Sequence, residues 1–314
     1  MKKKKSMKII TVRALCCVMF VVLMAGVGGC EKKKEEVKTK MEREQAFTGF
    51  AEINGTKIYF EIAGEGPPII LLHAGLVDSR MWDYQFRKFA EDYKVIRFDA
   101  RGFGKSEIPD KPFSPVKDVY DLMKFLKIEK AHIMGCSMGG SIALEFALDY
   151  PHMVDRLILV GPGARGFKYS QAMEQKAAQL YSTAREKGTQ EAVRLFLEDP
   201  FWSYGVPSGD YPEARKLFKE MVNDNRHIFD WYPNYIEIRG APALERASSI
   251  KIPTLIIVGD GDLADTLAAV EALQEKVNSA RKVIIPGAGH MVNMEKPEAF
   301  NKIVLEFFKG GKDL

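Results

Sequence analysis

Residues 131–146 read AHIMGCSMGGSIALEF: an apolar run that stops in a knot of small residues around Ser137 and resumes with a helical pattern. In an open α/β sheet, ligands bind beyond the carboxyl ends of the strands, so a hydroxyl on the turn from strand to helix is presented to a site. Gly135 and Gly139, two residues to either side, lie close together when the chain reverses sharply, and a side chain at either would collide with its surroundings. Gly140 lets the new helix pack tightly on the sheet. The helix start also directs unpaired N–H groups and a partial positive charge toward a developing anion.

Outward from this stretch the chain alternates two periods. Extended segments are expected at FAEINGTKIYFEIA, with Asn54-Gly55 as a hairpin turn, and at PPIILLH, KVIRFDA, AHIMGCS, DRLILVGP, PTLIIVGD and RKVIIPG. The later ones are continuous Ile/Val/Leu runs, the pattern of strands covered on both faces. Helical signals lie between them, in SPVKDVYDLMKFLKI and SIALEFALDY. The closing KPEAFNKIVLEFFKG aligns Phe300, Ile303, Val304, Phe307 and Phe308 on one face. The fold class is therefore α/β, with a mostly parallel central sheet and helices on both faces. One interval, about 163–250, carries helical signals and no convincing strand. Met173, Ala177, Leu180, Tyr181 and Ala184 form one amphipathic face, and TQEAVRLFLED and YPEARKLFKEMVND form two further helices. This interval is expected to be a helical lid.

A serine nucleophile needs a base, and the chain has five histidines. His73 ends a strand, His132 begins one, His152 follows Pro151, and His227 lies in the lid interval. His290 follows the last strand in the loop GAGHMVN, at the same sheet edge as Ser137. The imidazole needs a carboxylate to fix its tautomer. Asp260, Asp262 and Asp265 all stand just past TLIIVG. Asp262 is preferred because it sits on the loop rather than at the strand's last position, with Asp260 second. The order Ser, Asp, His is that of α/β-hydrolases.

Residues 48–312 resemble the α/β-hydrolase superfamily in its lidded form. GCSMGG around Ser137, GDGD at 259–262, GAGH at 287–290, DARGFGKS at 99–106 and LLHAGLVDSRMW at 71–82 carry the resemblance. It implies a nucleophile elbow at Ser137 and an oxyanion hole made by the backbone N–H groups of Met138 and Gly75, with Leu76 as the fallback. Ala74 stands where the family usually has Gly. The resemblance extends to enol-lactonases, small carboxylesterases and carbon–carbon bond hydrolases. Ser rather than Asp at position 137 disfavours the dehalogenase and epoxide hydrolase branches. The expected activity is hydrolysis of a small ester or lactone through an acyl-enzyme, with no metal or cofactor. The alternatives are a carbon–carbon bond hydrolase, a cofactor-free peroxidase-like activity, and a non-catalytic ligand-binding protein on the same scaffold. Cys136 is expected to be an apolar filler, and Asp99, Arg101 and Ser106 to fix a turn. FWSY at 201–204 and DWYPNY at 230–235 divide between an acyl pocket and the lid's own core.

The chain has 314 residues, 46% hydrophobic and 28% charged, enough for a large core. Its formal charge of +4 is an effect of the first thirty residues. Lys2–Lys5, Lys8 and Arg13 supply six of the 46 basic residues there, and the other 40 stand against 42 acidic ones. Nothing in that balance points to nucleic acid. The cationic start and the uncharged run Ala14–Gly29 read as an export signal, too short for the ~20 apolar residues of a spanning helix. Val27-Gly28-Gly29-Cys30 resembles the lipobox of bacterial lipoproteins, which implies cleavage after residue 29 and a lipid anchor on Cys30 in the cell envelope. Residues 30–47 then read as a charged tether.

Overall fold

The structure, a computed structural model, describes residues 46–237 and 240–310. The expected signal, Cys30 and most of the tether lie outside the described residues. Phe47, placed by sequence in the tether, instead begins the first strand. Among the described residues no helix is long and apolar enough to cross a membrane.

Eight strands form one sheet: β1 (Phe47–Ile53), β2 (Thr56–Ala63), β3 (Pro68–Leu72), β4 (Lys94–Phe98), β5 (Ala131–Cys136), β6 (Val154–Val160), β7 (Thr254–Gly259) and β8 (Ala280–Ile285). Their spatial order is β1-β2-β4-β3-β5-β6-β7-β8. β1 and β2 form a hairpin across Asn54-Gly55, whose φ of 51° and 68° are the left-handed values such a turn requires. β2 also runs antiparallel to β4, and every later pairing is parallel. From β3 the chain moves to one side for β4 and crosses to the other for β5. The gap between the carboxyl ends of β3 and β5 is therefore the topological switch point, where such sheets bind ligands.

The apolar runs are buried on both faces because successive side chains enter opposite layers. Ile69, Leu71, Met134, Cys136, Ile158, Val160 and Leu255 join the layer containing Trp82, Phe300 and the lid. Ile70, Leu72, Ile133, Leu157, Leu159 and Ile256 join the other, with Leu122 and Phe146. The closing helix Pro297–Phe308 buries Phe300, Val304, Phe307 and Phe308, as its 3.6-residue period requires. The helix after Ser137 begins at Met138, earlier than its apolar period suggested.

Between β6 and β7 the named elements among the described residues are helical. The main ones are Gln171–Lys187, Thr189–Glu198 and Pro212–Asp224, with a 3₁₀ turn at Pro200–Gly205. Ser170 caps the first by accepting Met173 N–H. Asp265, at the start of the helix after β7, takes Ser170 N–H and Oγ–H at 2.6 and 2.7 Å. One of the three acids past β7 thus anchors the lid.

Candidate active site

Ser137 sits directly after β5 with φ 52° and ψ −112°. A non-glycine residue there is strained, by about 1–3 kcal/mol, and persists because its surroundings over-determine it. Those surroundings are the glycines. A Cβ on Gly135 would lie 2.1 Å from Gly139 O, and one on Gly139 would lie 2.3 Å from Leu72 O. Ser137 N–H donates to Val160 O at 2.8 Å, tying the turn to β6.

The loop after β3 brings Gly75 alongside. A Cβ on Gly75 would be 3.8 Å from Met138 Cβ, and Leu76 has a left-handed φ of 65°. Met138 opens its helix, so its N–H has no carbonyl one turn back. The two candidate oxyanion donors therefore meet beside Ser137. The departure at Ala74 leaves this geometry in place, since its methyl is buried in the core. The DARGFGKS turn is structural, as expected. Asp99 accepts from Ser79 and Lys105 N–H, Ser106 Oγ–H donates to Asp99 O, and Arg101 forms a buried two-bond pair with Asp118.

On the far side of β6, His290 Nδ1 lies 2.8 Å from Asp262 Oδ2. The other Asp262 oxygen accepts Leu263 N–H at 2.7 Å, and the aspartate side chain is fully shielded from solvent. With this carboxylate ionised, Nδ1 carries the proton and Nε2 keeps the lone pair a general base needs. Burial pulls the His290 pKa down, but the charge and hydrogen bond of Asp262, with Glu295 behind, more than offset it, so the net shift is upward. Asp260 does something else: its Oδ1 accepts Gly287 N–H at 2.7 Å and so shapes the histidine loop.

Gly161 carries the two halves past each other. It follows Val160, the acceptor of Ser137 N–H, and a Cβ on it would stand 3.1 Å from His290 Nδ1 and from Asp262 Oδ2. Ser137 and His290 both line a cavity of about 240 Å³, walled by Leu76, Phe196, Trp202 and Phe218. The Ser137 hydroxyl is not hydrogen-bonded to the imidazole in this structure. A second cavity of about 390 Å³ adjoins the first and shares Met138, Gly163 and Tyr169 with it.

The aromatic groups of the lid divide. Trp202 and Tyr204 face the Ser137 cavity, whereas Trp231 packs edge-on to Phe103 at 5.8 Å in a separate apolar hollow. Three of the other histidines are committed elsewhere, and His152 is exposed. His73 accepts Ala100 N–H at Nε2 and donates to Ala74 O, and His227 Nε2 lies 2.9 Å from Gly102 O. His132 is stacked on Phe308 and held neutral by burial, its pKa lowered to about 4. Cys136 is buried and does not line the Ser137 cavity, its thiol pKa pushed up first by burial and then by the Asp262 charge. Among the described residues no cluster of His, Cys, Asp and Glu has metal-binding form.

Two partners of the histidine loop were not indicated by sequence. His290 N–H donates to Tyr204 O at 2.9 Å, and buried Glu295 accepts Gly289 N–H at 2.5 Å. The glycine of GAGH is the trace they leave: a Cβ on Gly289 would strike Tyr204 O at 2.6 Å.

A mostly parallel sheet with a strained serine turn and a buried aspartate–histidine pair at its carboxyl edge defines an alpha/beta hydrolase. The chain belongs to that family, whose alpha/beta hydrolase fold matches residues 67–297. A 2-hydroxy-6-oxononadienedioate/2-hydroxy-6-oxononatrienedioate hydrolase of Comamonas testosteroni is 28% identical over 267 residues, covering 82% of this chain and 93% of its own. Carboxylesterase YbfK of Bacillus subtilis (strain 168) is 24% identical, over 85% and 88%. The crystal structure of an enol-lactonase from Burkholderia xenovorans LB400 superposes with a TM-score of 0.72 at 27% identity, covering 83% of this chain and all of that one.

Proposed function

We propose that the protein is a serine hydrolase of small carboxylic esters or lactones, with Ser137, His290 and Asp262 as its triad. The observation that carries this reading is the 2.8 Å Asp262–His290 bond, on a cavity shared with a strained Ser137. His290 Nε2 takes the Ser137 proton as Oγ bonds to the substrate carbonyl carbon. Met138 and Gly75 N–H hold the oxyanion, each contributing about 3 kcal/mol. The imidazolium returns the proton to the departing alkoxide, and water, activated the same way, cleaves the acyl-enzyme and restores Ser137. A cavity of about 240 Å³ with largely apolar walls favours a small acyl group. The esterase and lactonase relatives support the ester-bond reading.

A second reading, hydrolysis of a carbon–carbon bond in a dienoate-type substrate, is favoured by the Comamonas testosteroni relative. A panel of p-nitrophenyl esters, lactones and a vinylogous diketone, run against wild type and Ser137→Ala, separates the two. On the ester reading turnover is confined to esters or lactones and falls by roughly 10⁴-fold or more in Ser137→Ala. A fluorophosphonate probe that leaves wild-type Ser137 unmodified, with ligand still bound tightly, would instead identify a binding protein. For residues 1–45 the proposal is lipid attachment at Cys30 in the cell envelope, supported by VGGC. Metabolic labelling with an alkyne fatty acid should mark the wild type and not Cys30→Ala.

A further inference from the structure

The geometry points to Glu295 as a positioning residue that staples the histidine loop to the lid, so that where the imidazole sits depends on where the lid sits. This rests on His290 being the base proposed above.

Glu295 ends the short helix Val292–Glu295 and is only 5% exposed. Its Oε2 accepts Gly289 N–H, one residue before His290, at 2.5 Å. Its Oε1 accepts Ser208 N–H, in the lid, at 2.9 Å. The same two segments are joined twice more: His290 N–H to Tyr204 O at 2.9 Å, and Tyr211 Oη–H to Gly287 O at 3.0 Å. Lid residues 204–211 are therefore tied to the histidine loop at three points.

Only a carboxylate of this length satisfies both donors. Glutamine offers one acceptor and turns an NH₂ toward the other N–H, leaving a buried donor unpaired. Aspartate keeps the charge but is one methylene short. The charge matters separately, because Glu295 adds to Asp262 in favouring the imidazolium form of His290. The other groups here are Tyr204, whose ring centroid is 5.8 Å from that of His290, and Lys296, whose charge opposes the rise that burial imposes on Glu295.

The test uses Glu295→Gln and Glu295→Asp in the full chain, with p-nitrophenyl ester kinetics across pH and amide hydrogen exchange. In Glu295→Gln, kcat should fall about tenfold or more while KM changes less, as expected of a misplaced base. The acid limb of kcat/KM should move to lower pH. Glu295→Asp should lose kcat but keep the limb where it was. Both variants should speed exchange at the Gly289 and Ser208 amides. A Glu295→Gln protein with wild-type kcat and limb overturns the proposal, as does a loss of kcat that follows a fall in Tm with the limb unmoved. If Glu295→Gln does not fold, wild-type kcat/KM in Glu295→Asp overturns it alone. If a fluorophosphonate fails to label wild-type Ser137, the triad reading is lost, and unchanged exchange at the two amides then rejects the staple itself.

Discussion

The serine turn and the histidine loop stand at the same sheet edge but are held in different ways. Around Ser137 the constraint is local: Gly135, Gly139 and Gly140 are within three residues, and their missing side chains let β5, β3 and the following helix close on one another. Around His290 the constraint is remote. Asp262 arrives from the end of β7, Tyr204 and Ser208 from the lid, and Glu295 from the next helix. The proposed nucleophile is set by a motif, and the proposed base is set by an assembly. Bonds from lid residues Tyr204 and Ser208 enter the second assembly.

That contrast is broken or sharpened by substitution. The largest effect is expected at the acid. Asp262→Asn should lower kcat by about 10³–10⁴-fold by reversing the hydrogen bond that selects the tautomer. It also removes the main influence raising the His290 pKa, so the acid limb of kcat/KM should shift to lower pH, the neutral base persisting further into acid. Asp260→Asn, which alters only the bond to Gly287 N–H, should stay within a few-fold of wild type. Equal losses in the two would show that the loop, not the pair, is what matters.

The next effects divide the two regions by observable. Gly135→Ala puts a methyl 2.1 Å from a backbone oxygen in the core, and should cost about 3 kcal/mol or more, a fall in Tm on the order of 10 °C. Gly289→Ala presses on Tyr204 O instead and should lower kcat with a smaller change in Tm, since the lid segment can shift. Thermal melts and steady-state kinetics on both check this; if Gly289→Ala melts as early as Gly135→Ala, the two constraints are alike. The smallest effect is expected at Gly209, where an added Cβ meets nothing within 4 Å. Gly209→Ala should stabilise by under about 1 kcal/mol, chiefly by restricting the unfolded chain, measurable as a higher urea midpoint.

The same division explains what could be read from the amino acids. All eight strands follow from apolar runs and one Asn-Gly turn, because sheet burial writes itself into neighbouring positions. Ser137 follows from flanking glycines, and His290 from elimination among five histidines. The sequence favours Asp262 over Asp260 only by its place on the loop, and these two and Asp265 lie within six residues; what separates the three is that each has its own partner, His290 for Asp262, Gly287 N–H for Asp260 and Ser170 for Asp265. Glu295, 33 residues beyond Asp262, reads as an ordinary acid before a proline. Its role depends on Ser208, 87 residues away, and no local period encodes a contact of that span. Tyr204 contributes a main-chain oxygen, which leaves no mark on residue type at all.

The left-handed backbone at position 137 also bears on how this protein can change over generations. Branching at Cβ is poorly tolerated at such torsions, so threonine is closed to it even though it too carries a hydroxyl. Any descendant that swaps its reactive atom must do so through an unbranched side chain, and the turn itself thereby filters which chemistries this lineage can try.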